Sequence, residues 1–185
     1  MKLRWLGNSC VEIIEPRHFL FDPNFLIEPF SGVEMIFTTH EHADHFDLQC
    51  YKKINAPLVA PFSVLNDYKI IGIKATPGET IEDVKILENW CWKAKESVSY
   101  YFNGILHTGD SSKFPQIDKV KIVFTACFPS LFEEYLMELR KLSPELVIPF
   151  HYNQEKIQDA IDLVEFLQEN DINAKIVKVG EIIEY

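Results

Sequence analysis

The heptapeptide Thr39-His40-Glu41-His42-Ala43-Asp44-His45 gathers three of the chain's six histidines together with two acids. It directly follows an apolar run containing Val33, Met35, Ile36 and Phe37. In extended backbone His40 and His42, two residues apart, leave the chain on one face. If Asp44 and His45 open the next turn, heading into a helix over Phe46–Ile54, they curl back towards the same point. Imidazole and carboxylate are the ordinary ligands of zinc and of other borderline or hard divalent ions. A catalytic ion needs about three protein ligands and a position left for water. Four candidates in one heptapeptide therefore suggest more than one ion.

The elements that must position this cluster read as follows. Strand-like runs fill the first half, at Lys2–Leu6, Cys10–Ile14, Phe19–Phe21, Val33–Thr38, Leu58–Ala60, Ile70–Ala75, Thr80–Leu87, Val98–Phe102 and Ile105–His107. Turns fall at Gly7-Asn8, at Thr76–Glu79 and at Asn103-Gly104, the last a strong hairpin signal because Asn-Gly tolerates positive φ. The last third changes character. Pro129–Leu142 sets Leu131, Phe132, Tyr135, Leu136, Leu139 and Leu142 on one stripe of an amphipathic helix. Gln154–Asn170 reads as a second helix, with Ile157, Ile161, Val164 and Leu167 inward. Strands are expected at Glu145–Pro149 and Ala174–Val179. No repeat, linker or low-complexity segment interrupts the chain, so one α/β domain over residues 1–185 is the economical expectation. The His cluster then sits at a strand's carboxyl end, where α/β folds place their sites.

Composition narrows the function classes. An apolar share of 47% with 14 Phe supports a real core in 185 residues. A net charge of -10 disfavours a broad electrostatic grip on nucleic acid or an anionic membrane, while leaving room for a small local positive site. Cys10, Cys50, Cys91 and Cys127 form no CxxC pair and suit reduced, mostly buried thiols. The opening MKLRWLGNSC has no apolar segment of the signal-peptide kind, and no run approaches membrane-spanning length. A cytoplasmic protein is expected.

The motif THEHADH resembles the signature of the metallo-β-lactamase-fold hydrolases, and other pieces follow in that family's order. Leu20-Phe21-Asp22-Pro23 resembles the acidic segment before the signature. His107-Thr108-Gly109-Asp110 resembles the later Gly-Asp, and Val147–Tyr152 the final histidine strand. The opening LRWLGNSC and the ending IPFHYN are similar to the small stand-alone branch near the ascorbate-6-phosphate lactonases, often called metal-dependent hydrolases. The resemblance spans Leu3 to His151 and implies a four-layer αβ/βα sandwich. It also implies one metal held by His40 and His42, a second held by Asp44, His45 and His151, and Asp110 between the two. Asp22 would stand behind the ligands and fix their orientation.

Two positions depart from that pattern. The family's third histidine for the first metal should fall near the end of the Val84–Ile86 run, where the chain reads Glu88-Asn89-Trp90-Cys91-Trp92. Asn89 is the expected occupant, with a weaker amide oxygen; Cys91, two residues on, is the rival. Asn8 stands where close relatives carry histidine. It can donate a hydrogen bond near the metals but cannot shuttle protons. Of the remaining histidines, His107 is expected to be structural or to stand behind the ligands, and His18 to be exposed in a turn.

The expected chemistry is hydrolysis of a small ester, lactone or phosphoester by a metal-activated hydroxide. Asp44 would orient that hydroxide and accept its proton. Zinc is the expected ion, one or two per chain, with Mn or Fe as alternatives. Two ions offset by two aspartates and the hydroxide leave roughly one net positive charge, so an anionic small-molecule substrate is expected. Loops Asn24–Gly32 and Pro61–Leu65 are expected to line its pocket, and the first of them offers a surface for a homo-oligomer. Alternatives are a degenerate, non-catalytic ligand-binding module, a nuclease or phosphodiesterase, and an iron redox protein of the same fold. No Gly-x-Ser-x-Gly elbow, phosphate loop or dinucleotide fingerprint is present.

Overall fold

A computed structural model describes residues 1–185. Two sheets face each other across a shared core. In the first, strands β1 (Lys2–Gly7), β2 (Cys10–Glu15), β3 (Phe19–Phe21), β4 (Met35–Phe37), β5 (Leu58–Ala60) and β6 (Ile73–Lys74) lie side by side in chain order. In the second, β7 (Thr80–Ile81), β8 (Val84–Glu88), β9 (Val98–Phe102), β10 (Ile105–His107), β11 (Ile122–Ala126) and β12 (Leu146–Phe150) do the same. A final strand, β13 (Ile182–Glu184), returns to the outer edge of β1. Pairing is antiparallel from β1 to β3 and from β7 to β10; it is parallel from β3 to β6 and from β10 to β12. Parallel neighbours need crossovers. Helices α1 (Leu48–Lys52), α2 (Phe62–Tyr68) and α3 (Phe132–Leu142) supply those from β4 to β5, β5 to β6 and β11 to β12; helix-free segments supply those from β3 to β4 and β10 to β11, and α4 (Ile157–Glu169) follows β12.

Side-chain alternation explains why the first sheet is buried on both faces. Phe19, Phe21, Met35, Phe37 and Val59 point into the core between the sheets. Leu20, Ile36, Leu58 and Ala60, one residue out of step, join Phe46 and Val64 in a second core under α1 and α2. Tyr135, Leu136 and Leu139 of α3 and Leu163, Val164 and Leu167 of α4 close the far face of the second sheet. Aromatic rings lock the sheets together: Phe19 meets Phe102 at 5.2 Å between centroids, and Phe37 meets Tyr100 at 5.3 Å. The buried Tyr100 hydroxyl donates to the Thr38 carbonyl at 2.7 Å, tying the second sheet to the segment just before the His cluster.

Several expected elements differ. Thr80–Leu87 is two strands, because Glu82 and Asp83 take positive φ (48° and 65°) and turn the chain back as a hairpin. Ile122–Ala126 was not anticipated as a strand: buried at all five residues, it lacks the alternation that marks a half-exposed strand. Pro61–Leu65 opens a helix rather than forming a loop, with Lys69 in left-handed conformation ending it. Ala174–Val179 is not a strand. Only Ala174 bridges to Val147, and the last edge strand forms further on, at Ile182–Glu184.

Candidate metal centre

Every strand that reaches the site does so by its carboxyl end: β3 runs into Asp22, β4 into Thr39–His45, β8 into Asn89–Cys91, β10 into Asp110 and β12 into His151. Backbone bonds splice the two sheets there. Val98 N–H donates to the Thr39 carbonyl (3.0 Å) and His151 N–H to the Asn8 carbonyl (2.8 Å). Asp22 and His151 both hold left-handed backbone, φ 50° and 65°, which non-glycine residues adopt only when their surroundings demand it.

The first group of donors is His40, His42, Cys91 and Asp110, whose candidate ligand atoms all lie within 4.8 Å of one another. His40 Nε2 and His42 Nδ1 are 3.1 Å apart, and Cys91 Sγ lies 3.6 Å from the first and 4.0 Å from the second. Asp110 Oδ2 is 3.8 Å from His40 Nε2. At ordinary zinc bond lengths, two nitrogens on one tetrahedral ion stand about 3.3 Å apart, and a nitrogen and a sulfur about 3.6 Å. These residues fit a divalent ion with little rearrangement.

Local contacts set the protons on these groups. The Thr39 hydroxyl lies 2.9 Å from Asp22 Oδ2 and 3.0 Å from His40 Nδ1. Its single proton goes to the carboxylate, so it accepts from His40 Nδ1–H, leaving the Nε2 lone pair facing the cluster. Burial, with His45 adding to the effect, pushes the His40 imidazole down to about 3 and keeps it neutral. Burial pushes the Cys91 thiol up to about 12. Only a cation beside it would hold it as thiolate at neutral pH.

The second group is Asp44, His45 and His151. His45 lies between two carboxylates, Nδ1 at 2.7 Å from Asp22 Oδ2 and Nε2 at 2.9 Å from Asp110 Oδ1. Burial disfavours its charged form, yet Asp110 and Asp22 together raise its pKa well above the usual range. Asp44 Oδ2 is 3.0 Å from His151 Nε2, a hydrogen bond that holds the Asp44 carboxyl below its ordinary value. Burial opposes ionisation of Asp110, but the charge of His45 and its hydrogen bond outweigh it and keep that carboxyl low. Asp110 faces both groups: Oδ2 looks to His40, while Oδ1 looks to His45 and, at 3.6 Å, to His151. Asp22, fully buried, also accepts the Thr39 N–H at 2.7 Å and so anchors the loop that carries the histidines.

Other expectations are redistributed. Of the two expected occupants, Cys91 places its Sγ beside His40 and His42, while the Asn89 amide nitrogen donates to the Thr108 carbonyl at 2.7 Å and its buried Oδ1, the expected ligand atom, has no hydrogen-bond partner. Strand β8 ends at Glu88, so strand parity does not rank the two, and the softer ligand type was the one signal favouring cysteine. Asn8 touches the site through its backbone rather than its side chain, since its amide nitrogen donates to Asn24 Oδ1 at 2.8 Å. His107 is buried, 3.3 Å from the Ser9 carbonyl and 3.7 Å from Asp22 Oδ2. His18 is not an exposed turn residue: its Nε2 meets the fully buried Glu12 carboxylate at 2.8 Å, which Arg4 also pairs. Nor does the Asn24–Gly32 loop supply the main wall of the site. Phe25, Pro29 and Phe30 line a separate cavity of ≈ 460 Å³ with Lys53 and Ile54. The cavity opening on His42, Cys91 and Asp110 is ≈ 760 Å³ and is walled by Trp90, Trp92, Phe128, Pro129 and Leu131.

Comparison with known proteins agrees with this architecture. No family model matches the chain. A UPF0173 metal-dependent hydrolase of Nanoarchaeum equitans is 26% identical over 222 residues, covering 100% of both chains. One of Thermococcus onnurineus is 25% identical over 224 residues, covering 100% of this chain and 99% of its own. Among solved structures, a protein of Parabacteroides distasonis superposes with a TM-score of 0.74 at 18% identity, over 94% of this chain and 91% of that one. The metallo-β-lactamase fold protein YhfI of Bacillus subtilis gives 0.71 at 12% identity, over 100% and 98%. Zinc-bound PqqB of Methylobacterium extorquens gives 0.70 at 9% identity, over 100% of both. No helix is long and apolar enough to cross a membrane. With two mixed sheets flanked by helices and candidate donors converging at the strand ends, the chain has the metallo-β-lactamase fold and is similar along its whole length to metal-dependent hydrolases.

Proposed function

We propose that the protein hydrolyses a small ester, lactone or phosphoester at a two-ion centre. His40, His42 and Cys91 hold one ion, Asp44, His45 and His151 the other, and Asp110 is shared. When bound, a divalent ion supplies a nucleophile at neutral pH by lowering the pKa of water, and it polarises the scissile oxygen. Mixed nitrogen, sulfur and carboxylate donors favour zinc over harder ions such as Mn, and the zinc-bound neighbour supports that choice.

The chain's own residues divide the remaining work. Asp44 has a side chain 56% exposed, at the mouth of the site, and accepts the proton that the attacking water loses. Asp22 holds the His45 ring, and Thr39 sets the tautomer of His40. As a thiolate Cys91 adds one negative charge to a centre where Asp44, Asp110 and a hydroxide would leave two divalent ions with roughly one net positive charge. That removes the net positive charge on which an anionic substrate was expected. Recognition then falls to the walls of the cavity.

The observation that carries this reading is Asp110, one carboxylate, its side chain 9% exposed, with its two oxygens turned towards different donor groups. Replacing it with Ala tests the proposal. Elemental analysis of Asp110→Ala should show bound metal reduced to half or less, and hydrolysis of any ester the parent turns over should fall about 100-fold or more. A variant that keeps its metal and its rate would sink the two-ion reading.

A further inference from the structure

Two unlike cavities flank the candidate metal centre. On the His42 and Cys91 side lies the ≈ 760 Å³ cleft walled by Trp90, Trp92 and Phe128. On the opposite side, beyond Asp44 and His151, a cavity of ≈ 160 Å³ is lined by Asn8, Asn24, Asn153 and Lys156, with Tyr152 its one apolar wall. Asp110 stands between them, facing both donor groups.

Trp90 and Trp92 are 57% and 67% exposed, and neither belongs to the packed cores. Fold stability does not explain two indoles held in water beside a cluster of metal-binding donors. Large exposed aromatic surface at the mouth of a cleft marks a place where a ligand completes the burial. Lys93 Nζ lies over the Trp92 indole, 3.9 Å from the ring centre. The polar side is small and nearly spent. Asn8 Nδ2 donates to Asn24, Asn24 Nδ2 donates to the Ala43 carbonyl, and Asn153 Oδ1 caps the turn that follows it. What remains open is the Asn153 amide, the Lys156 ammonium and a carboxylate oxygen of Asp44. Their space holds a few heavy atoms at roughly 30 Å³ per water-sized group.

Resting on the hydrolase reading above, we infer that the substrate is an ester or lactone with a flat apolar arm, aromatic or of aromatic size. That arm lies against Trp90 and Trp92, and a small hydroxyl- or amide-bearing arm points towards Asn153 and Lys156. A sugar phosphate, which has no apolar face of that extent, does not match these walls.

Product-like carboxylates test this without requiring turnover. Calorimetric titrations of 2-naphthoate and of acetate are run on the full chain, with and without added zinc, so that failure of the metal to load leaves the comparison readable. The naphthoate is expected to bind at least about tenfold more tightly, a difference of about 1.4 kcal/mol. The double variant Trp90→Ala with Trp92→Ala should cut that ratio to about threefold or less. Both indoles are exposed, so the variant's melting temperature should stay near the parent's and shows that it folds. Equal affinities in the parent, or a ratio that survives the double replacement, would overturn the inference. Failure of every ester to be hydrolysed counts against the hydrolase reading alone. Ester hydrolysis that is indifferent to an aryl group counts against this inference alone.

Discussion

As a ligand, Cys91 would change what the candidate centre asks of its ion. Imidazole and carboxylate accept zinc, manganese or iron with modest preference, whereas a thiolate weights the set towards soft and borderline ions. A cobalt-substituted protein should therefore show an intense sulfur-to-cobalt charge-transfer band in the near ultraviolet, and Cys91→Ser should abolish it. Zinc affinity of that variant should fall by at least the roughly 10–100-fold that loss of an outer partner costs. An unchanged spectrum would mean that Asn89, or water alone, completes the first group. At this scale, too, sequence and structure divide cleanly. His40, His42, Asp44 and His45 were legible as candidates from residue type and spacing, and Asp110 and His151 through the family resemblance; the structure brings all six together. Asn89 and Cys91 were not separable, because both lie in a segment past the last residue of β8 whose path no local pattern dictates.

Between residues and fold, the element that matters most is the turn from β10 to Asp110. Gly109 has φ +57°, and a Cβ there would stand 3.2 Å from Thr39 Cβ and 3.3 Å from Asn89 Nδ2. Glycine lets the second sheet's loop press against the first sheet's His loop, which brings Asp110 within reach of both donor groups. Gly109→Ala adds left-handed strain of about 1–2 kcal/mol and pushes the two loops apart. For a chain of this size it should lower the melting temperature by about 2–8 °C, with bound metal falling in parallel. Thermal melts paired with elemental analysis check this, and a variant that matches the parent in both would show that the close approach is dispensable. The strand ends behave alike as a class: β3, β4, β10 and β12 all stop one to three residues before a site residue, leaving each side chain on irregular backbone held by tertiary bonds.

Across the whole molecule, the donors come from both sheets: the 40–45 loop follows β4 of the first, while Cys91, Asp110 and His151 follow strands of the second. An ion bound here clamps the two sheets at one end of their shared core. Free zinc at about 100 times its dissociation constant adds about 2.7 kcal/mol to the folded state. That predicts a melting temperature about 5–10 °C higher than in chelator. Scanning calorimetry with zinc and with EDTA measures it directly; coincident melts would show that no ion links the sheets.

The sequence by itself pointed to the class of chemistry and to most of the candidate donors, because THEHADH carries its ligand types within one turn and the segments around Asp110 and His151 resemble those of a known family. It also determined where the long amphipathic helices lie, but not the whole inward stripe of α4: Ala160, Leu163, Val164 and Leu167 are buried, while Ile157, expected inward, is exposed and Ile161 only half-buried. Only the tertiary structure decided that Cys91 stands with His40 and His42 and that Asp110 divides its oxygens between two groups. The same holds for the cleft wall, made of Trp90, Trp92 and Phe128 rather than the 24–32 loop. The physical reason is range. Residue type and periodicity act over a few positions, whereas these placements depend on where two separate sheets, packed through Phe19, Phe37, Tyr100 and Phe102, bring their strand ends together.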